Sequence, residues 1–192
     1  MSNEKCRVSM LTHDEAIEAA TQAGVPEGMA RLSIFQILLS HPTLAKPFND
    51  WLLALLFKGL LSVRLRELVI LRTGWVTNSV YEWTQHYSIA QMLGVDKAAI
   101  EAVRDWEEAD QGMYSPQESA VLRCVDEYAQ TGSFSVKAWE EMSKHFESDQ
   151  ELVELVMLIV TYSAVSGFLR NVQVPLEPGV DPWPPQGQGP EI

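Results

Sequence analysis

Helix punctuation recurs along this chain from Thr12 to Asn171 and then stops, and this restricts the fold more than any other feature of the sequence. Thr12 with Glu15, and Ser115-Pro116-Gln117-Glu118, are capping-box patterns: a hydroxyl and a carboxylate three residues apart satisfy backbone N–H groups that a helix start leaves unpaired. The first predicts a helix from Thr12 to near Gly24, the second a helix ending near Gly132. Between and beyond them, apolar residues at helical spacing predict helices over Glu27–Leu39, Thr43–Lys58 (Pro47 in its first turn, Gly59 at its end), Val63–Val76, Ser79–Leu93, Asp96–Trp106, Ser135–His145 and Asp149–Asn171. Strand signals are scarce. After Asn171 come Pro175, Pro178, Pro182, Pro184, Pro185 and Pro190 with three glycines, a composition that cannot be helical. The expectation is an all-α, single-domain helical bundle over residues 1–171, with a Pro/Gly-rich arm over 172–192 that is either disordered or laid along a neighbouring surface.

A formal charge of −12 repels phosphate backbones and anionic membrane surfaces, so neither nucleic acid nor membrane is an expected partner. Cys6 and Cys124 lie far apart and in no CxxC, which argues against a disulfide framework or a cysteine zinc site. Cys124, in an amphipathic stretch, reads as a small core residue. Met1–Arg7 is polar and has no hydrophobic signal core. The longest apolar run, Leu155–Leu169, is interrupted by Thr161, Tyr162, Ser163 and Ser166 and reads as too short and too polar to span a bilayer. A soluble cytoplasmic protein is the expectation.

On a helical wheel of about 100° per residue, Ser79, Glu82, Trp83, His86, Ile89, Ala90 and Leu93 share one face, and Thr84, Gln85, Ser88 and Gln91 the opposite one. Glu82 and His86 therefore sit on the stripe that faces the core, four residues apart, where their side chains can meet. On the preceding helix Val63, Glu67, Ile70, Leu71 and Gly74 share a face, so Glu67 is an acid in an apolar stripe, and Gly74 permits close approach of a neighbour. A carboxylate there is costly unless paired or protonated. Two carboxyls and an imidazole on core-facing stripes form a plausible proton relay, since burial raises a carboxyl pKa and a cationic histidine lowers it. The same groups could equally form a structural ion pair, with Glu67 paired to Arg64 or Arg66. A metal site would need Glu67, Glu82 and His86 without a second histidine at useful spacing, so no metal is expected.

These residues resemble the carboxymuconolactone decarboxylase and alkylhydroperoxidase D-like superfamily. The resemblance rests on Arg66–Arg72 (Arg-Glu-Leu-Val-Ile-Leu-Arg), Tyr81–His86 (Tyr-Glu-Trp-Thr-Gln-His), Ile89-Ala90 with Leu93-Gly94-Val95, Asn171, Val174–Gly179 and the opening Arg7–Thr12. It covers roughly residues 7–180. In the peroxidase branch the second motif is C-x-x-C-x-x-x-H, with a glutamate on the preceding helix. Here the cysteine positions are Ser79 and Glu82, the histidine is His86 and the glutamate is Glu67. The parts that move protons remain and both sulfurs are gone. Many relatives also have a Tyr-His pair in the last helix, where this chain has Tyr162-Ser163.

The resemblance implies a cofactor-independent lyase or decarboxylase, isomerase or hydrolase acting on a small cyclic carbonyl or lactone. His86 is the expected principal base or acid, Glu82 its orienting partner, Glu67 a second proton exchanger and Ser79 a hydrogen-bond donor to substrate. Tyr81 and Tyr162 are candidate phenolic donors, with Tyr81 on the polar face of its helix. Trp75 and Trp83 are candidates to line an apolar pocket or pack the core, and Arg72, with Arg64 and Arg66, to hold a substrate carboxylate. A residual peroxidase-type antioxidant protein and a non-catalytic assembly protein are the rival readings. Relatives form trimers or hexamers, and the nearly all-apolar stretch Trp51–Phe57 fits a homo-oligomer independently.

Overall fold

The structure, a computed structural model, describes residues 6–191; residues 1–5 of the polar N-terminal segment lie outside them. The described residues form helices and no strand: α1 (His13–Ala23), α2 (Ser33–Leu38), α3 (Pro42–Phe57), α4 (Val63–Val76), α5 (Val80–Met92), α6 (Lys97–Ala102), α7 (Pro116–Thr131), α8 (Val136–Ser143) and α9 (Asp149–Val172), with 3-10 turns at Glu27–Arg31 and Val103–Glu108. The described residues divide into two units, one of residues 6–58 with 168–180 and one of 59–167 with 181–191.

In the first unit both halves of the Thr12–Glu15 capping box form, and α1 ends on Gly24 at φ 70°, a left-handed conformation that suits glycine. The single helix expected over Glu27–Leu39 is instead a 3-10 turn and α2, broken at Leu32 (φ −86°, ψ 129°). The Glu177 carboxylate accepts the Ser33 N–H at 2.8 Å and so serves as a cap for α2 from a distant part of the chain. Pro47, expected in the first turn of α3, lies further inside it because the helix starts at Pro42.

The second unit holds the candidate site. α4 occupies the expected bounds, started by the Ser62 hydroxyl, which accepts the Leu65 N–H. It packs on α5 at Gly74, where a Cβ would lie 3.0 Å from the Trp83 nitrogen and 3.3 Å from the Glu82 Cβ. Leu68, Leu71, Trp83, Tyr87, Ile100, Val103, Trp106 and Leu122 build the core beside this junction. At the start of the unit, the Glu154 carboxylate accepts the Leu60 and Leu61 N–H groups at 2.6 and 3.1 Å, and fills the space a side chain at Gly59 would need.

The helix expected to run to Trp106 stops at Ala102, and the 3-10 turn after it is kinked at Asp105 (φ −126°, ψ 51°). Arg72 holds this turn: its guanidinium takes the carbonyls of Val103 and Arg104 and pairs with Asp126 at 2.5 and 2.9 Å. α9, with 24 residues, is about 36 Å long at 1.5 Å per residue. Against expectation, it is long and apolar enough to cross a membrane by length and composition. Its Leu155, Leu158, Ile159, Tyr162 and Ser166 are buried.

The arm is non-helical, as expected. Residues 181–191 lie on the second unit: the Trp183 N–H donates to Thr84 Oγ1 at 3.1 Å, and the Trp83 indole N–H donates to the Pro184 carbonyl at 2.9 Å.

Candidate active site

α4 and α5 bring Glu67, Glu82 and His86 together, with residue exposures of 0%, 4% and 7%. His86 stands between the two carboxyls. Its Nδ1 is 2.8 Å from Glu67 Oε2, and its Nε2 is 3.5 Å from Glu82 Oε1. The other Glu67 oxygen accepts from Arg66 Nε at 3.2 Å. Both Glu67 oxygens are thus paired, whereas Glu82 Oε2 is buried without a hydrogen-bond partner. The last helix contributes Tyr162, whose ring meets that of His86 edge-on with centroids 5.4 Å apart.

This asymmetry separates the two acids. Burial pushes Glu67 upward, but the hydrogen bond and charge of His86, with the Arg66 charge, outweigh it and hold the carboxyl below its ordinary value. Burial pushes Glu82 up to about 7; His86 and the neighbouring Ser166 hydroxyl oppose that rise, and Glu67 adds to it. For His86, burial favours the neutral ring, yet the Glu67 bond and the two carboxyl charges raise its pKa. An ionised carboxylate can only accept, so Nδ1 carries the proton toward Glu67 and Nε2 is the nitrogen facing Glu82.

Ser79 caps the start of α5 by position, yet its hydroxyl is buried and bonds nothing. Tyr81, expected on a polar rim, is 5% exposed, and Thr84 from the same expected polar face is 2% exposed. The start of α5 is thus covered on that side, by the arm at Thr84, whereas Ser88 and Gln91 of the same face are exposed, as expected. At its far end the expected core stripe opens, because Leu93 is 43% exposed.

Trp75 and Trp83 belong to a different cluster. Their rings lie 5.1 Å apart, Trp183 packs edge-on against Trp75, and the Arg104 guanidinium stands 4.7 Å from both Trp75 and Trp83. Trp75 and Arg104 line a cavity of about 480 Å³ together with Gln186 and Glu191 of the arm. Arg72 is spent on Asp126 and two carbonyls, which makes it a structural clamp rather than an open anion site. Arg64 pairs with Glu118 at 2.6 Å.

Sequence reasoning missed Ser166 and Arg104. Ser166 had a signal, since it interrupts an apolar run four residues after Tyr162 and so shares its face. Arg104 had none, because its partners come from the arm and from α4 and α5. Cys124 is fully buried, and burial pushes its thiol up to about 11. A thiol so placed is not a thiolate nucleophile near neutral pH.

Residues 42–127 match the carboxymuconolactone decarboxylase family. No curated protein matches the chain by sequence. Among solved structures, the debrominase Bmp8, in complex with 2,3,4-tribromopyrrole, superposes with a TM-score of 0.72 at 14% identity, over 91% of this chain and 93% of that one. An uncharacterised peroxidase-related protein with an alkylhydroperoxidase AhpD core from Ralstonia eutropha JMP134 gives 0.70 at 16%, over 92% and 95%. A protein of unknown function from Agrobacterium tumefaciens, a candidate antioxidant-defence protein AhpD, gives 0.65 at 22%, over 73% and 94%. At these identities the likeness speaks for the fold.

Proposed function

We propose that this chain, whose residues 42–127 match the carboxymuconolactone decarboxylase family, is a cofactor-independent acid–base enzyme for a small cyclic carbonyl or lactone compound. One observation carries the reading: a single imidazole faces two buried carboxyls whose environments push their pKa values apart. Acid–base sites are built from such separated pairs.

The geometry supports an exchange of the roles that the sequence suggests for the two acids. Glu67, with both oxygens paired, holds the tautomer and orientation of His86. Glu82, poorly paired and titrating near neutrality, is the group that can give up or take a proton beside Nε2. In the working form His86 is neutral and Glu82 protonated. His86 Nε2 removes a proton from the carbon next to the substrate carbonyl, and Glu82 hydrogen-bonds the developing enolate. The side chains of His86 and Glu82 keep 9% and 5% exposure, which fits a small substrate. The exposed Leu44, Trp51 and Phe57 of α3 (58%, 41% and 69%) support the proposal of a homo-oligomer.

The test is turnover of a panel of lactones and β-keto acids. His86→Ala should lower kcat by about 10²-fold or more for any substrate found. Unchanged turnover of a confirmed substrate would remove His86 from the mechanism. The same burial favours a second reading, in which the ion pairs only pin α4 to α5. That reading requires the His86→Ala protein to lose stability while no compound of the panel is turned over by wild type.

A further inference from the structure

We propose that Ser79 Oγ, Ser166 Oγ and Glu82 Oε2 form a subsite that holds one oxygen of the substrate, the oxygen on which negative charge collects when His86 takes a proton from the adjoining carbon. This rests on the proton-transfer reading above and adds Ser166, from α9, to it.

The first observation is that all three atoms are buried without a hydrogen-bond partner, in residues 1%, 0% and 4% exposed. Folded proteins leave few buried polar atoms unpaired, because each costs free energy. Here they gather around one carboxyl: Ser79 stands three residues before Glu82 at the start of its helix, and Ser166 reaches it from α9, one turn beyond Tyr162.

The second observation is a capping box that stays open. Ser79 and Glu82 have the residue types and spacing that close elsewhere in this chain. Thr12 and Glu15 bond each other's backbone N–H at 3.3 and 2.8 Å, Ser115 and Glu118 at 3.2 and 2.8 Å, and Ser148 and Glu151 at 3.3 and 3.1 Å. At α5 the Ser79 hydroxyl caps nothing, and Glu82 turns Oε1 toward His86. Local rules broken in this way mark positions under a functional demand.

The chemistry follows from the groups that face Glu82: His86 on its own helix, Glu67 on α4, Tyr162 and Ser166 on α9. Two hydroxyls and a protonated carboxyl each have a hydrogen-bond donor to offer, and none of the three oxygens has a partner in the folded chain. As the C–H bond breaks, its proton goes to His86 Nε2 and its electron pair moves through the carbonyl onto that oxygen. Donors placed before the reaction stabilise such charge better than water does. A carbonyl compound with an enolisable position is therefore the substrate class, and a small oxyanion is its simplest mimic.

Acetate is the probe, with acetamide as its neutral shape-match, and affinity is read by NMR titration of the full chain. Wild type should bind acetate saturably and more tightly than acetamide. Ser166→Ala and Ser79→Ala should each weaken acetate by about tenfold or more, as expected for a lost donor to a charged group. Ser79→Ala should melt no lower than wild type, since it removes an unpartnered hydroxyl. In Ser166→Ala the Glu67 bond should still hold the His86 pKa above its ordinary value, which separates this inference from the relay itself. Acetate affinity unaltered by both substitutions, or no acetate binding to wild type, would overturn the subsite while leaving the His86→Ala test of the relay standing.

Discussion

Replacing Glu82 by glutamine should stabilise the protein in mildly alkaline solution while removing its proposed acid. The carboxyl is raised from 4.5 to about 7 by burial. At about 1.4 kcal/mol per unit, that shift corresponds to about 3 kcal/mol. The sign follows from linkage. The folded state holds this proton more tightly than the unfolded chain does, so the contribution to stability is complete below 4.5 and is lost as pH rises through about 7. Above that, wild type carries an ionised, poorly paired carboxylate in its core. Glutamine has nearly the shape of the neutral acid and does not titrate, and the unpartnered hydroxyls of Ser79 and Ser166 can accept from its amide. The stability difference, variant minus wild type, should therefore grow by about 3 kcal/mol between about pH 4 and about pH 8. For a chain of this size that is roughly 6–12 °C in Tm. Urea titrations at fixed protein concentration across this range measure it. A difference that stays constant with pH would refute the reasoning, because it would mean that Glu82 titrates like an exposed carboxyl.

Glu67→Gln should behave in the opposite way: it breaks a buried pair, costs about 3–5 kcal/mol near neutral pH and lowers the His86 pKa, which NMR titration of the imidazole checks. The His86 contribution in wild type is complete below 6.5 and fades as pH rises through its raised folded value. Gly59→Ala drives a Cβ into the Glu154 carboxylate and displaces the acceptor of the Leu60 and Leu61 N–H groups. Chemical denaturation should show a loss of about 1.5–3 kcal/mol, and adding Glu154→Ala should cost little more, since both changes break the same contacts. Deleting residues 181–192 removes the partners of the Trp83 indole and the Thr84 hydroxyl and should cost at least about 2 kcal/mol, read from tryptophan fluorescence in urea. Cys124, raised to about 11 by burial, should resist iodoacetamide at neutral pH until the protein unfolds.

What the sequence disclosed was what local chemistry decides. Thr12–Glu15 and Ser115–Glu118 fix their helix starts through contacts three residues apart, and α4 lies where its apolar spacing puts it. Glu82 and His86 were legible as a pair because i and i+4 side chains meet on any helix, and Gly74 was legible as a place of close approach, which the structure gives to α5. The misreadings have distant causes. The break at Leu32 accompanies a cap supplied by Glu177, and the early end of α6 accompanies the hold of Arg72 on the Val103 and Arg104 carbonyls. Thr84 belongs to the polar side of any wheel drawn for α5, and only the arm, about a hundred residues later, buries it. The different environments of Glu67 and Glu82 were hidden for the same reason. Arg66 and Ser166 are set against them by the packing of α4 and α9, and no pattern within α5 records it.

The central claim is that His86, held by Glu67 and paired with Glu82, moves protons to and from carbon. Solvent deuterium exchange tests it most directly. Wild-type protein is incubated in heavy water with the lactone and β-keto-acid panel, and mass spectrometry reads deuterium at the carbon next to the carbonyl. Incorporation is expected into at least one compound, faster than in buffer, abolished by His86→Ala and strongly reduced by Glu67→Gln. Incorporation at the buffer rate for every compound, or exchange that persists unchanged in His86→Ala, would contradict it.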